Sequence, residues 1–171
     1  MRAVSRWQLL LLLFFATRCV AAEYERFWLN KESTYLVFVA KDGKQFEAPR
    51  LPDQVGYEMP RISADGRYIG WLAMYQNCCT SYSIGLKLVV QDPAGKLHTF
   101  SGNKLVLFDW CFMPDSPSVA FKQTVLHGTD YMHFEWWGIA DERLLDEYDY
   151  QPDESEQARE RAPDWVRCVP D

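Results

Sequence analysis

The chain has 171 residues, 18 basic and 24 acidic, and a formal net charge of −6. That acidic balance leaves no electrostatic footprint for nucleic acid or an anionic lipid surface. The length suits one domain around one core, and the 15% of aromatic residues is mostly core material in an all-β chain.

The first element is a leader. Arg2 and Arg6 precede an apolar run, Trp7 to Ala16, that is too short to span a bilayer comfortably. Val20, Ala21 and Ala22 supply small residues for cleavage. The expectation is a signal peptide over 1–22, then a single periplasmic or secreted all-β domain over 23–171, with no membrane insertion after cleavage. Arg18 stands where a lipidated Cys19 would need a small residue, so Cys19 leaves with the signal. Without Arg2, Arg6 and Arg18 the chain carries 15 basic and 24 acidic residues, a net of −9.

Strands follow. "TYLVFVA" (34–40), "RYIGWLAMY" (67–75), "LKLVVQ" (86–91), "SVAFKQTVL" (118–126) and "YMHFEWWGIA" (131–140) are rich in β-branched and aromatic residues between Asp, Gly, Pro and Ser turns. "PDESEQARERAPDW" (152–165) is charged and predicts at most a short surface helix. The acidic residues of 141–160 read as a solvated face, since their spacing matches no calcium loop.

Positions fifty apart resemble one another: "ISADGRYIGW" (62–71) aligns with "FMPDSPSVAF" (112–121), and Asp92 falls near Asp141. Several short strands at such a period describe propeller blades. The units run approximately over 55–104 and 105–150, with a tail over 151–171. "RISADGRYIGWL" followed by "LVVQDPAGKLHTF" resembles the TolB-like propeller repeat over roughly residues 60–145, with Ala64 in place of the usual Pro and Ser116 in place of Gly. "NCCTSY" and a later "HG" with "H-x-E" also resemble short exported proteins of Gram-negative bacteria. These resemblances imply location and architecture, not chemistry. Two repeats cannot close a propeller, so the predicted architecture is an incomplete propeller or sandwich of two antiparallel sheets face to face. Residues 24–50 add strands, and "DWVRC" (164–168) returns as a last short strand on an edge.

The hairpin of the second unit gathers polar residues. A loop of Gly128, Thr129 and Asp130 would pair Val125 with His133 and Gln123 with Glu135. His127, Tyr131, His133, Glu135 and Trp137 then share one face, and Leu126, Met132, Phe134 and Trp136 the other. A carboxylate on such a strand needs partners; His133, Gln123 and a backbone amide are the candidates. Three readings compete: a hydrogen-bonded structural Glu135, a metal site of His127, His133 and Glu135 or Asp130, and a ligand surface lined by Tyr131, Trp136 and Trp137.

Shifting 75–83 by fifty lands on 125–133, which places Cys78, Cys79 and Tyr82 on the same rim as His127, Asp130 and His133. Four cysteines remain after cleavage, and an exported chain favours disulfides. The preferred pairing is Cys111–Cys168, which staples the tail and adds roughly 3–4 kcal/mol, with Cys78–Cys79 as a vicinal ring. Crossed bridges from Cys78 and Cys79 to Cys111 and Cys168 are the alternative, and a reactive thiol beside His127 ranks last. No phosphate loop, nucleophile elbow or zinc-protease motif is present in the sequence, and no cofactor is expected. The expectation is a binding module for a protein or small-molecule ligand. A metal or thiol enzyme and a structural envelope component are the competitors.

Overall fold

The computed structural model describes residues 22–79, 81–103, 105–126, 131–150 and 161–170. Their strands are antiparallel throughout. Three come first, β1 (Tyr24–Leu29), β2 (Leu36–Ala40) and β3 (Gln45–Glu47), forming a small sheet in that order. A meander of β4 (Gln54–Ile62), β5 (Ile69–Gln76), β6 (Ser83–Gln91) and β7 (Leu97–Ser101) follows. A second meander comprises β8 (Val106–Phe112), β9 (Ser118–Thr124), β10 (Met132–Gly138) and β11 (Leu144–Tyr150). One bridge, Gly85 to Leu107, joins the two into an eight-stranded sheet; its path runs through seven strands from β4 to β11 without closing, and β7 pairs with β6 off that path.

Side chains alternate along a strand, so each sheet has two faces to cover. On β5, Ile69, Trp71 and Ala73 pack with Leu36 and Phe38 of the three-stranded sheet. Leu72 and Met74, from the opposite face, pack with Leu107, Trp110, Val119 and Phe121 of the second meander. The outer face of that meander, through Ala120 and Phe134, meets Ala162, Trp165, Val166 and Val169 of the tail. The result is a stack of four layers: small sheet, first meander, second meander, tail. Each fully buried large apolar side chain in it contributes about 1.5–3 kcal/mol.

Close approach of the two meanders depends on two glycines. A Cβ on Gly85 would lie 2.7 Å from the Leu107 carbonyl oxygen, and one on Gly70 would lie 2.7 Å from the Trp110 ring. Any side chain there pushes the layers apart.

The tail corrects the expected edge strand. Residues 161–165 are not helical, 152–160 lie outside the described residues, and Val166–Cys168 form a 3-10 turn instead of a strand. Pro163 and Pro170 lack backbone N–H groups at both ends of this segment, which suits edge pairing poorly. Covering the outer face also requires Trp165 and Val166 to point inward, across the strands. Cys168 is bonded to Cys111, with Cα atoms 6.0 Å apart, and Lys122 Nζ donates to the Pro170 carbonyl at 2.9 Å. Of the acidic stretch after residue 141, Leu144–Tyr150 forms strand β11, and its carboxylates Asp146, Glu147 and Asp149 are exposed.

Candidate functional site

The polar residues of β10 lie between the two meanders. His133, Glu135 and Trp137 share the inner face, while Met132, Phe134 and Trp136 pack toward the tail. The register differs from the expected one: His133 pairs with Gln123, and Met132 with Thr124, the last pair before the connection. The connection is therefore longer than a three-residue loop. The difference is two residues, so every side chain keeps its face.

Glu135 is wholly buried and fully engaged. Its Oε1 accepts from the Gln123 amide at 2.8 Å and from the Asn103 backbone N–H at 3.1 Å, and it lies 3.1 Å from His133 Nε2. Its Oε2 accepts from the Trp137 indole at 2.8 Å. Gln123 in turn accepts from the Leu105 N–H at 3.1 Å. These bonds pin the backbone of Asn103 and Leu105, between the meanders, to the second meander's inner face. All three expected partner types are present, and Trp137 is added.

His133 continues the chain of contacts outward. Its Nδ1 lies 2.5 Å from Asp149 Oδ1 on β11, and the Tyr131 hydroxyl donates to the same oxygen at 2.5 Å. Glu147 sits 3.7 Å from Nε2. A carboxylate only accepts, so the ring satisfies both flanks only when each nitrogen carries hydrogen, or when one carboxyl brings its own. Asp149 and Glu135 occupy opposite ring nitrogens and do not converge on one point with the imidazole. Among the described residues no group of three His, Cys, Asp or Glu side chains is arranged to hold a metal ion. His127 and Asp130 lie outside the described residues. His133 and Glu135 expose no surface in this structure, which accords with the reading of Glu135 as a hydrogen-bonded structural carboxylate.

A second histidine bridge escaped the sequence reading. His98 on β7 is buried, with Nε2 3.1 Å from Asp92 Oδ2 and Nδ1 3.0 Å from Glu142 Oε1. Asp92 belongs to the β6–β7 turn and Glu142 to the β10–β11 turn, so this imidazole ties the two meanders together. Burial pushes the Asp92 carboxyl up, but the His98 hydrogen bond and the Lys96 and Ala94 amides outweigh it and hold the carboxyl below the usual range. The six-residue hairpin spacing of Asp92 and His98 is the signal that could have found one half of it. Glu142, forty-four residues from His98, had no such signal.

At one end of the stack the turns at 63–68 and 112–117 enclose a cavity of about 480 Å³. Strand β5 leaves the first of those turns, so the β5–β6 loop lies toward the opposite end. The β5–β6 loop carries Cys78, Cys79 and Tyr82, all exposed. The cysteine sulfurs are 2.6 Å apart, unbonded, and the Cys79 N–H donates to Asn77 Oδ1 at 3.3 Å. The contact with Cys78, and desolvation after it, raises the Cys79 thiol above its ordinary range. Tyr82, Val55, Gln76, Ser81 and Ser83 line a cleft of about 200 Å³ beside the pair.

No protein-family model matches the chain, and no curated protein is significantly similar to it.

Proposed function

We propose that the chain is an exported all-β binding module that takes a protein partner at the β5–β6 end of the stack. The observation that carries this reading is the small cleft under Tyr82 and Val55, whose side chains are 47% and 38% exposed. Pockets for whole metabolites usually measure about 300–1,000 Å³. A cleft of about 200 Å³ is sized for one protruding side chain of a partner. A half-exposed tyrosine beside it is the residue type that anchors such contacts. The leader of residues 1–22 and the TolB-like turn residues support an envelope setting, periplasmic or secreted. Metal or acid–base use of His133 and Glu135 is the weaker reading, since their polar atoms already serve each other.

Site-specific photocrosslinking tests this. A photoreactive phenylalanine replaces Tyr82, and a second chain carries it at Phe27. Phe27 lines a larger open groove of about 650 Å³ with Pro60, Arg61 and Phe112. The Arg61 guanidinium in that groove is already held by Asp109 at 2.7 Å and lies over the Trp110 ring. The expected result is one discrete adduct in the periplasm from position 82, weakened about tenfold by Val55→Asp, with none from position 27. Adducts from position 27 alone move the interface to the groove and overturn the assignment.

A further inference from the structure

The adjacent cysteines differ from the stapled pair in every respect that governs thiol chemistry. Cys111 and Cys168 have Cα atoms 6.0 Å apart, inside the ordinary span of about 4.4–6.8 Å, and lie in the apolar layer under the tail. Cys78 and Cys79 are exposed, on a loop, with thiols in contact at 2.6 Å. Neighbouring Cα atoms are only about 3.8 Å apart, so a bridge between them closes a small ring below that span. Exposed and constrained disulfides belong to the labile, exchangeable class, whereas buried unconstrained ones resist reduction.

We propose that Cys78 and Cys79 form a reversible dithiol–disulfide site whose co-reactant is an external disulfide, carried by a small molecule or by a dithiol–disulfide protein. The two sulfurs are close but not bonded to each other in this structure. In the oxidising direction one cysteine loses its proton and its thiolate attacks a sulfur of the external disulfide. That bond breaks, a mixed disulfide forms, and one external thiolate leaves. The second cysteine, also deprotonated, then attacks the protein-side sulfur of the mixed disulfide. The Cys78–Cys79 bond forms and the second external thiolate leaves. Two electrons pass from the protein sulfurs to the external pair, and the two protons end on the released thiols. The raised Cys79 thiol fits the role of second nucleophile, which keeps its proton until the mixed disulfide has formed. The redox chemistry rests on the cysteine geometry and does not need the binding role of the rim, so either can fail without the other.

The test equilibrates the mature chain in graded mixtures of reduced and oxidised dithiothreitol, quenches in acid, alkylates, and maps peptides by mass spectrometry. The expected result is that the 78–79 peptide changes as a pair, from doubly alkylated to unalkylated and lighter by the lost hydrogens, with little singly alkylated form. It should do so at a more oxidising ratio than the Cys111–Cys168 pair. Dominant singly alkylated species, conversion of both pairs at one ratio, or bridges from Cys78 or Cys79 to Cys111 or Cys168 would each overturn the proposal. A second measurement uses oxidised glutathione. The mixed disulfide on Cys79→Ser should outlive that on the unaltered chain by at least about tenfold, because the resolving thiol is gone. Equal lifetimes would also overturn it.

Discussion

Glu135 shows how much of this structure depends on single polar atoms. A buried carboxylate is tolerated only when its lone pairs are used, and here the Gln123 amide, the Asn103 N–H, the Trp137 indole and His133 surround it. Glu135→Gln keeps the shape but turns one acceptor into a donor aimed at other donors. The expected loss is about 3 kcal/mol, seen as a lower urea midpoint with unchanged slope. Trp137→Phe removes one donor and should cost about 1 kcal/mol. A titration gives a second check. The Ser63 hydroxyl, against a smaller burial penalty, holds the Asp65 carboxyl low, and Asp92 is held low despite its burial. A depressed folded value contributes stability that is present above the unfolded carboxyl range, near pH 4, and is lost as pH falls through the folded value. Between about pH 5 and about pH 2 the urea midpoint of Asp92→Asn should therefore fall more gently than that of the unaltered chain.

At the scale of the strand, faces were more legible than pairings. Apolar alternation assigns Met132, Phe134 and Trp136 to one side of β10 and His133, Glu135 and Trp137 to the other, because a side chain's face depends only on parity. Register depends on where the connection ends, and that placed His133 opposite Gln123 instead of Val125. Strands β4, β6 and β8 also contain irregularities that no alternation pattern announces. Val55, Met59, Leu86 and Phe108 fall at those register shifts, and all four are exposed. Bulges of this kind re-aim a side chain, here turning large apolar residues outward. Gly85 and Gly70 act in the opposite sense by permitting contact. Gly85→Ala should destabilise by about 1–3 kcal/mol through forced separation at the Leu107 bridge. Thermal unfolding would measure it, and a value near zero would mean that the bridge is not a close-packed joint.

Across the whole molecule, the two ends of the stack explain why two meanders suffice. The three-stranded sheet covers one outer face and the tail covers the other, so neither apolar surface waits for a further blade. The tail is held by Cys111–Cys168, which spans 57 residues. Opening it with Cys168→Ser should cost about 4 kcal/mol on the chain-entropy estimate. Detachment of Trp165, which stacks on Trp136 at 6.1 Å, should raise binding of a hydrophobic dye. Unchanged stability and dye binding would show that the tail holds by packing alone.

Much of this was readable from local pattern. Period-two alternation and turn residues led to an all-β chain, and a carboxylate's demand for donors led to the partner types of Glu135, because each depends on neighbours in sequence or on a group's intrinsic demand; the cysteine count left the pairing of Cys111 with Cys168 open against crossed bridges. The Glu142 half of the His98 bridge, the meeting of β11 carboxylates with His133, and the tail lying across strands instead of along an edge were not readable. Each is settled by which distant surface arrives to cover an apolar face, and that follows from packing between layers that no local pattern encodes.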